Sequence, residues 1–214
     1  MSTLQRRERE KVALRQKILD TAREILATEG QGALTMRRLA HRIEYTPGAL
    51  YAHFADKDAL LRELCSCDFY EFAGQLQGAL ATEDPIDRLR SLARHYARFG
   101  LEHPQQYRIL FMMEPVPELS KLKQDRGNPA RDGYALLEFA IAYAVERGFF
   151  PQWKAEQQLL AQTLWCGMHG VIAIEIVKGS PGDRPMELEP FARRVETMCE
   201  ALLAGLRDNG PPPR

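Results

Sequence analysis

The chain has 214 residues, 29 basic and 29 acidic side chains, and 45% hydrophobic residues. This composition excludes a mainly disordered or fibrous protein, because it supplies enough apolar material for an ordinary core. The first sixteen residues lack the apolar run of a signal peptide, and the longest uncharged stretch, 157–174, contains five polar side chains. We therefore expect a soluble, cytoplasmic protein without a membrane partner.

Charge is distributed unevenly along the chain. Residues 1–55 contain ten lysines and arginines against six acidic residues, so the remaining residues are acidic on balance. A basic segment joined to an acidic body indicates that the basic segment meets a polyanion.

Nearly every segment predicts a helix, because apolar residues recur at spacings of three and four and no alternating β-branched run occurs. The first predicted helix runs from about residue 8 to 27, with Gly30 as its carboxyl-terminal cap. Residues 1–8 are expected to form a flexible arm. The chain as a whole predicts an all-α fold of about nine helices.

Three helix starts follow one another closely between residues 33 and 61. Their predicted capping residues are Thr35, Thr46 and Asp56. The middle helix, from Pro47 to about His53, is too short to be stable alone in water. It must pack against its neighbours through Leu50 and Phe54, which leaves its other side chains facing outward.

Two short helices joined by a tight turn predict a helix-turn-helix. Gly48 and Ala49 are small enough for the second helix to enter a major groove about 12 Å wide. Tyr51, His53 and Lys57 can reach the phosphate backbone. The alternative at this point is a packing subdomain in which Tyr51 and His53 are ordinary surface side chains.

The segment TMRRLAHRIEYTPGALYAHFADKDALL, residues 35–61, resembles the DNA-binding segment of TetR-type transcriptional regulators. The resemblance implies a homodimer that binds a palindromic operator and usually releases it when a small molecule enters the carboxyl-terminal domain. We expect the protein to be a repressor, and a cavity among the candidate effector-binding residues given below would suit a small apolar or aromatic effector. The resemblance also implies the DNA-binding residues Thr35, Arg37, Thr46, Pro47, Gly48, Ala49, Tyr51, His53 and Lys57. One position departs from the family pattern, since Glu44 stands where the turn usually has Gly. If the backbone is left-handed there, Glu44 costs on the order of 1 kcal/mol.

The predicted domains are a helix-turn-helix domain at 1–56, a larger helical effector-binding and dimerisation domain at 57–208, and a disordered tail at 209–214. Helices are predicted to open at Asp84-Pro85 and Asn128-Pro129. The stretch 159–177 is apolar nearly all round, so either the core or a partner subunit should cover it. We expect it to pair with the final helix in a four-helix dimer interface.

Candidate effector-binding residues fall into two sets. Trp165 and His169 share a helical face and are similar to a signature of one TetR carboxyl-terminal subgroup; they could line a cavity or simply pack in the core. The remaining candidates are Tyr107, Phe111, Met112, Phe139 and Tyr143. Aromatic and methionine stripes of this kind more often form ordinary core than a pocket.

Enzyme motifs are missing from the sequence. The five histidines lack helical metal-binding spacing, and no phosphate loop, Gly-x-Ser-x-Gly or Cys-x-x-Cys occurs. We therefore expect no catalytic residue, no metal and no cofactor. The alternative function is a helical enzyme or a protein-interaction adaptor without DNA binding.

Overall fold

The protein is described by a computed structural model that covers residues 3–113, 126–178 and 188–212. All regular secondary structure in these ranges is helical, with nine α-helices and a few short 3-10 turns. The helices are α1 Thr3–Glu29, α2 Met36–Arg42, α3 Pro47–Tyr51, α4 Lys57–Leu76, α5 Pro85–Glu102, α6 Pro104–Phe111, α7 Gly133–Glu146, α8 Gln157–Lys178 and α9 Phe191–Asp208. The prediction of an all-α chain is confirmed.

The described residues divide into two compact units. Residues 3–68 and 105–113 form the head unit, and residues 69–104, 126–178 and 188–212 form the body unit. The sequence predicted a boundary between residues 56 and 57. The observed division lies later along α4 because Leu60, Leu61 and Leu64 are buried in the core of the head unit.

Helix α1 supplies one side of the head core. Its apolar stripe is fully buried at Ile18, Ala22 and Ile25, and burial of each isoleucine contributes about 1.5–3 kcal/mol. Gly30 ends the helix as predicted: its φ is 82° and its N–H donates to the Leu26 carbonyl at 3.1 Å.

The amino-terminal segment is helical from Thr3 and is not the flexible arm expected from the sequence. Its residues are mostly good helix formers, and Arg6 pairs with Glu10 one turn later at 3.5 Å. These local preferences extend α1 beyond the part that packs in the core.

Helix α6 belongs to the head unit although more than thirty residues separate it from the rest of that unit. Ile109 packs in the head core. The fully buried carboxylate of Asp68 accepts hydrogen bonds from Arg23 at 2.7 Å and from Gln106 at 3.2 Å. A buried carboxylate is costly unless it accepts hydrogen bonds, and here the donors come from α1 and α6. The Asp68 carboxylate of α4 therefore joins the three helices.

The body unit contains α5, α7, α8 and α9. Asp84 caps α5 as predicted, accepting from the N–H groups of the next turn. Helices α8 and α9 pack closely at Gly167, where an added Cβ would lie 2.6 Å from Leu202 Cδ1. An ion pair between Glu175 and Arg194 joins the same two helices.

Two segments of the body unit differ from the prediction. Helix α7 begins at Gly133, capped by Asp132, because the Asn128 side chain accepts from Ala130 N at 3.0 Å and closes a separate turn. The tail was expected to be disordered from residue 209. The Asn209 carbonyl instead accepts from the Trp153 indole at 2.8 Å, while the last two residues lie outside the described part.

Helix α8 has the length and composition to cross a membrane, which is also typical of a core helix in a globular protein. Only 33% of its most apolar window is buried within this chain. Four large apolar side chains of α8 are exposed: Leu159, Trp165, Ile174 and Val177.

Candidate nucleic-acid interface

Helix α2 carries three arginines, and the structure distinguishes one of them. Arg38 and Arg42 form ion pairs with acidic residues of α1. The Arg37 side chain is exposed and makes no hydrogen bond or ion pair with any described residue. Its guanidinium is therefore available to a partner outside the head unit.

The turn after α2 closes in a Schellman motif. The N–H of Tyr45 donates to the Ala40 carbonyl at 3.0 Å, and the N–H of Glu44 donates to the His41 carbonyl at 3.2 Å. This motif requires a left-handed residue at the position of Glu44, whose φ is 62°. The strain expected at Glu44 is present, and its carboxylate has no ion pair among the described residues.

Helix α3 is held by its neighbours, as the sequence predicted. Leu50 is fully buried and Phe54 nearly so, in the same core as the apolar face of α2. Pro47, Gly48 and Tyr51 are exposed. An added Cβ at Gly48 would meet only Thr46 Oγ1, at 3.9 Å, so packing within the chain does not require a glycine there.

The two predicted threonine caps are present. Thr35 Oγ1 accepts from Arg38 N at 3.1 Å, and Thr46 Oγ1 accepts from Ala49 N at 3.3 Å. Both threonines are exposed and Ala49 is half-buried. Each hydroxyl accepts in its cap and keeps its own hydrogen to donate elsewhere.

His53 is half-buried and lies beside two basic residues of α1. Its carbonyl accepts from Arg15 Nη1 at 2.8 Å. Its Nδ1 is buried and has no hydrogen-bond partner among the described residues. Burial lowers the pKa of His53, and the positive charges of Arg15 and Lys11 lower it further. Sequence reasoning did not include Arg15 and Lys11 in the site; their spacing of four residues on α1 was the available signal.

Lys57 has a partner within the head unit. Its Nζ donates to the Gln31 carbonyl at 3.0 Å, and its side chain is half-buried. Asp56 caps the same end of α4 by accepting from Ala59 N at 2.7 Å. The role of Lys57 as a phosphate contact stays a prediction.

The predicted effector-binding residues are divided between the two units. Tyr107 and Phe111 lie in the head unit, with ring centroids 5.0 Å apart, and Tyr107 is fully buried. Met112 lines a groove of about 260 Å³ in the same unit, together with Leu26 and Arg108. Three of the seven candidates thus lie in the head unit and four in the body unit.

Two of the body candidates, Phe139 and Tyr143, lie on α7. Phe139 is 48% exposed on α7. Two guanidinium groups contact the Tyr143 ring, with Arg88 4.2 Å and Arg147 4.9 Å from its centroid, and the Tyr143 hydroxyl donates to the Glu83 carbonyl. The Tyr143 ring is thus occupied by contacts within the body unit.

Trp165 and His169 come together with a residue that the sequence did not suggest. The Trp165 indole donates to Tyr96 Oη at 3.0 Å, and Tyr96 Oη lies 3.4 Å from His169 Nδ1. The Tyr134 ring meets Trp165 edge-on with centroids 6.0 Å apart. Burial lowers the pKa of His169. We call Tyr96, Trp165 and His169 the body cluster.

Metal-ligating side chains do not converge in the ranges that the structure describes. Groups of three or more His, Cys, Asp or Glu side chains placed to hold an ion do not occur there.

A short helix with an exposed first turn, following a capped helix and a tight turn, defines a helix-turn-helix protein. Residues 18–64 match the family model of bacterial regulatory proteins of the tetR family. Residues 89–202, about half of the chain, match the tetracyclin repressor-like carboxyl-terminal domain. The chain belongs to the TetR family of transcriptional regulators. The subgroup suggested by Trp165 and His169 stays a prediction.

Individual relatives agree with this assignment. The transcriptional regulator AcrR of Shigella flexneri is 24% identical over 148 residues, 64% of this chain and 66% of that protein. The transcriptional repressor Rv1474c of Mycobacterium tuberculosis is 37% identical over 86 residues, 36% of this chain and 46% of that protein. The chain thus spans just under two thirds of the first relative and under half of the second.

A solved structure shares the fold. The fatty acid degradation regulator FadR of Bacillus halodurans superposes with a TM-score of 0.69 at 18% identity, covering 90% of this chain and 99% of that one.

Proposed function

We propose that the protein is a homodimeric transcriptional repressor, which binds a palindromic operator through α2 and α3 and is released by a small apolar or aromatic effector. The observation that carries this proposal is the division of α3 into two faces. Leu50 is fully buried, while Pro47, Gly48 and Tyr51 are exposed. The name of the relative Rv1474c, a transcriptional repressor, supports repression rather than activation.

Operator contacts follow from the groups that the head unit leaves available. The Thr35 and Thr46 hydroxyls can donate to phosphate oxygens while they cap their helices. Arg37 supplies a charge without a partner among the described residues, and Tyr51 an exposed phenol. Gly48 allows the start of α3 to approach the floor of the major groove.

The outward face of α8 supports a homodimer. One stripe runs along it with alternating spacings of four and three residues and is exposed or half-exposed throughout: Leu159, Thr163, Cys166, Gly170, Ala173 and Val177. Such spacing is typical of two helices that pack side by side. An added Cβ at Gly170 would meet no atom within 4 Å in this chain, so the space above it is free for a second subunit.

Release by an effector requires two coupled sites. The body cluster combines two aromatic rings with an imidazole, which suits a ligand with apolar rings and one polar group. Binding there would change the separation of the two head units, which must match major grooves about 34–36 Å apart. A coupling free energy of about 1–3 kcal/mol would weaken operator binding roughly 5- to 150-fold.

The operator-binding proposal is tested by selecting duplexes from a random-sequence library with the full chain and measuring affinity for the selected duplex. Tyr51→Ala and Gly48→Leu should each weaken binding at least tenfold, whereas Phe139→Ala, an exposed aromatic of the body unit, should not. Retention of the duplex by both α3 variants would refute the proposed interface. Turnover of a substrate that survives both substitutions would favour the alternative that the protein is an enzyme. Binding of protein partners without binding of any duplex would favour the adaptor.

The dimer is tested by sedimentation of a matched pair of variants. Gly170→Arg places a charge on the α8 stripe, and Gly74→Arg places the same charge on an exposed part of α4, where an added Cβ also meets no atom within 4 Å. We expect monomers for Gly170→Arg and dimers for Gly74→Arg. Dimers in both cases would contradict the α8 interface.

The effector site is tested by fluorescence, because the chain has two tryptophans. Trp153 is buried and donates to the Leu206 carbonyl at 2.8 Å, so Trp153→Phe leaves Trp165 as the reporter. Ligands that release the operator duplex should shift Trp165 emission, and His169→Ala should weaken that response. Release of DNA without any change at Trp165 would place the effector elsewhere.

A further inference from the structure

The first half of α1 extends beyond the core of the head unit. Every described side chain from Leu4 to Ala13 is exposed, and the first buried residue of the helix is Ile18. Ten helical residues rise about 15 Å. The fold of the head unit therefore does not account for this segment, since its side chains bury almost nothing.

The basic residues of this extension lie on different faces of the helix. Arg7 and Lys11 lie eight and four residues before Arg15, so all three occupy neighbouring positions on one side of the helix. We call Arg7 and Lys11 the amino-terminal stripe. Arg6 and Arg9 point away from it, since they lie about 180° and 120° from Arg15 around the helix.

The stripe adjoins the face that carries His53. Arg15 Nη1 donates to the His53 carbonyl at 2.8 Å, which places this side of α1 against the end of α3. The charge of Lys11 reaches His53 strongly enough to lower its pKa. Glu8 lies on the same side and opposes the two basic residues, but the exposed segment as a whole has more basic than acidic side chains.

We propose that the amino-terminal stripe binds DNA phosphates that flank each half-site, next to those contacted by Tyr51 and His53. This inference rests on the proposed operator binding and extends it. Arg7 and Lys11 are about 6 Å apart along the helix axis, a separation that flexible side chains can match to successive phosphates of one strand.

The composition of the extension favours DNA over other occupants. Its large apolar residues are Leu4 and Val12, which offer little hydrophobic gain to a second helix or a bilayer. The net positive charge and the continuity with His53 complement a phosphate backbone.

The test compares two double variants that each remove two positive charges from α1. Arg7→Gln/Lys11→Gln removes the stripe, and Arg6→Gln/Arg9→Gln is the matched control on the other faces. Affinity for the selected duplex, made about 40 base pairs long to include flanks beyond two half-sites, is measured over a range of salt concentration. A second duplex is trimmed to the two half-sites.

For the stripe variant, the slope of log affinity against log salt should fall by about 0.9 for each phosphate that is no longer neutralised, so by about 1.8 per subunit. Its affinity should no longer depend on the flanks. The control variant should keep the wild-type slope and the preference for the long duplex. Equal slopes for the two variants, or an unchanged flank dependence in the stripe variant, would overturn the inference.

Two further results would also overturn it. If the stripe variant kept its DNA slope but no longer bound anionic phospholipid vesicles, or changed its sedimentation coefficient, the occupant would be a membrane or a second copy. If wild-type protein bound no duplex at all, the proposed function would fail together with this inference. Wild-type binding with equal slopes for the two variants would refute the inference alone.

Discussion

Glu44 occupies a backbone position that favours glycine, and its replacement gives a measurable prediction. Its φ of 62° is left-handed, which costs an L-residue roughly 1–2 kcal/mol. Glycine removes that strain but forfeits about 0.4–1 kcal/mol through the greater freedom of the unfolded chain. We expect Glu44→Gly to raise the free energy of unfolding of the head unit by about 0.5–1 kcal/mol. Its Tm should rise by about 2–8 °C.

The same motif in the body unit provides a reciprocal control. Helix α7 ends with Gly148 at the equivalent position, φ 86°, and the N–H of Phe149 donates to the Ala144 carbonyl at 3.0 Å. Gly148→Ala should therefore destabilise its unit by about 1 kcal/mol, the opposite sign to Glu44→Gly.

Glu44→Gln separates strain from charge, because it removes the carboxylate and keeps the side chain at the left-handed position. In thermal denaturation Glu44→Gln should behave like wild type, and only Glu44→Gly should be stabilised. In operator binding both variants should be tighter than wild type at low salt, with the gain falling as salt screens the charge. A Glu44→Gly protein that is no more stable than Glu44→Gln would refute the strain argument.

Three further predictions use the same measurements. Operator affinity should rise as pH falls from about 8 to 6, because the pKa of His53 is lowered in the free protein and a nearby phosphate raises it in the complex, so binding takes up a proton. His53→Gln should show no such pH dependence, and a wild-type affinity that does not change with pH would contradict the prediction. Gly167→Val should lower the stability of the body unit by about 1–3 kcal/mol, since its side chain meets Leu202, and an unchanged Tm would disprove that contact. A hydrogen bond from Arg94 lowers the pKa of Glu196 below its ordinary value of 4.5. The stabilisation that this ion pair gives the folded protein is therefore complete above about pH 4.5 and disappears as the pH falls through the lowered pKa. The difference between the free energies of unfolding at pH 7 and pH 3 should be smaller in Arg94→Gln than in the wild type.

Local sequence signals accounted for most of the head unit. The caps at Thr35 and Thr46 and the left-handed turn at Glu44 depend on residues within five positions of one another. The two faces of α3 follow from a short apolar pattern that must meet the apolar face of α2. Such features could be predicted because each involves a side chain and backbone groups that are adjacent in the chain.

Contacts between distant segments were decided by the tertiary structure alone. Tyr96 contacts Trp165, sixty-nine residues away in the chain, and arginines from two different segments contact the Tyr143 ring. Asp68 draws α6 into the head unit by a hydrogen bond from Gln106. Helical periodicity gives the apolar face of each helix but not the helix that covers it, because several pairings bury similar apolar area. The amino-acid sequence by itself thus determined the helices and the helix-turn-helix. Long-range packing decided which side chains meet in the body unit and which meet around Asp68 in the head unit, because those contacts join residues far apart in the chain.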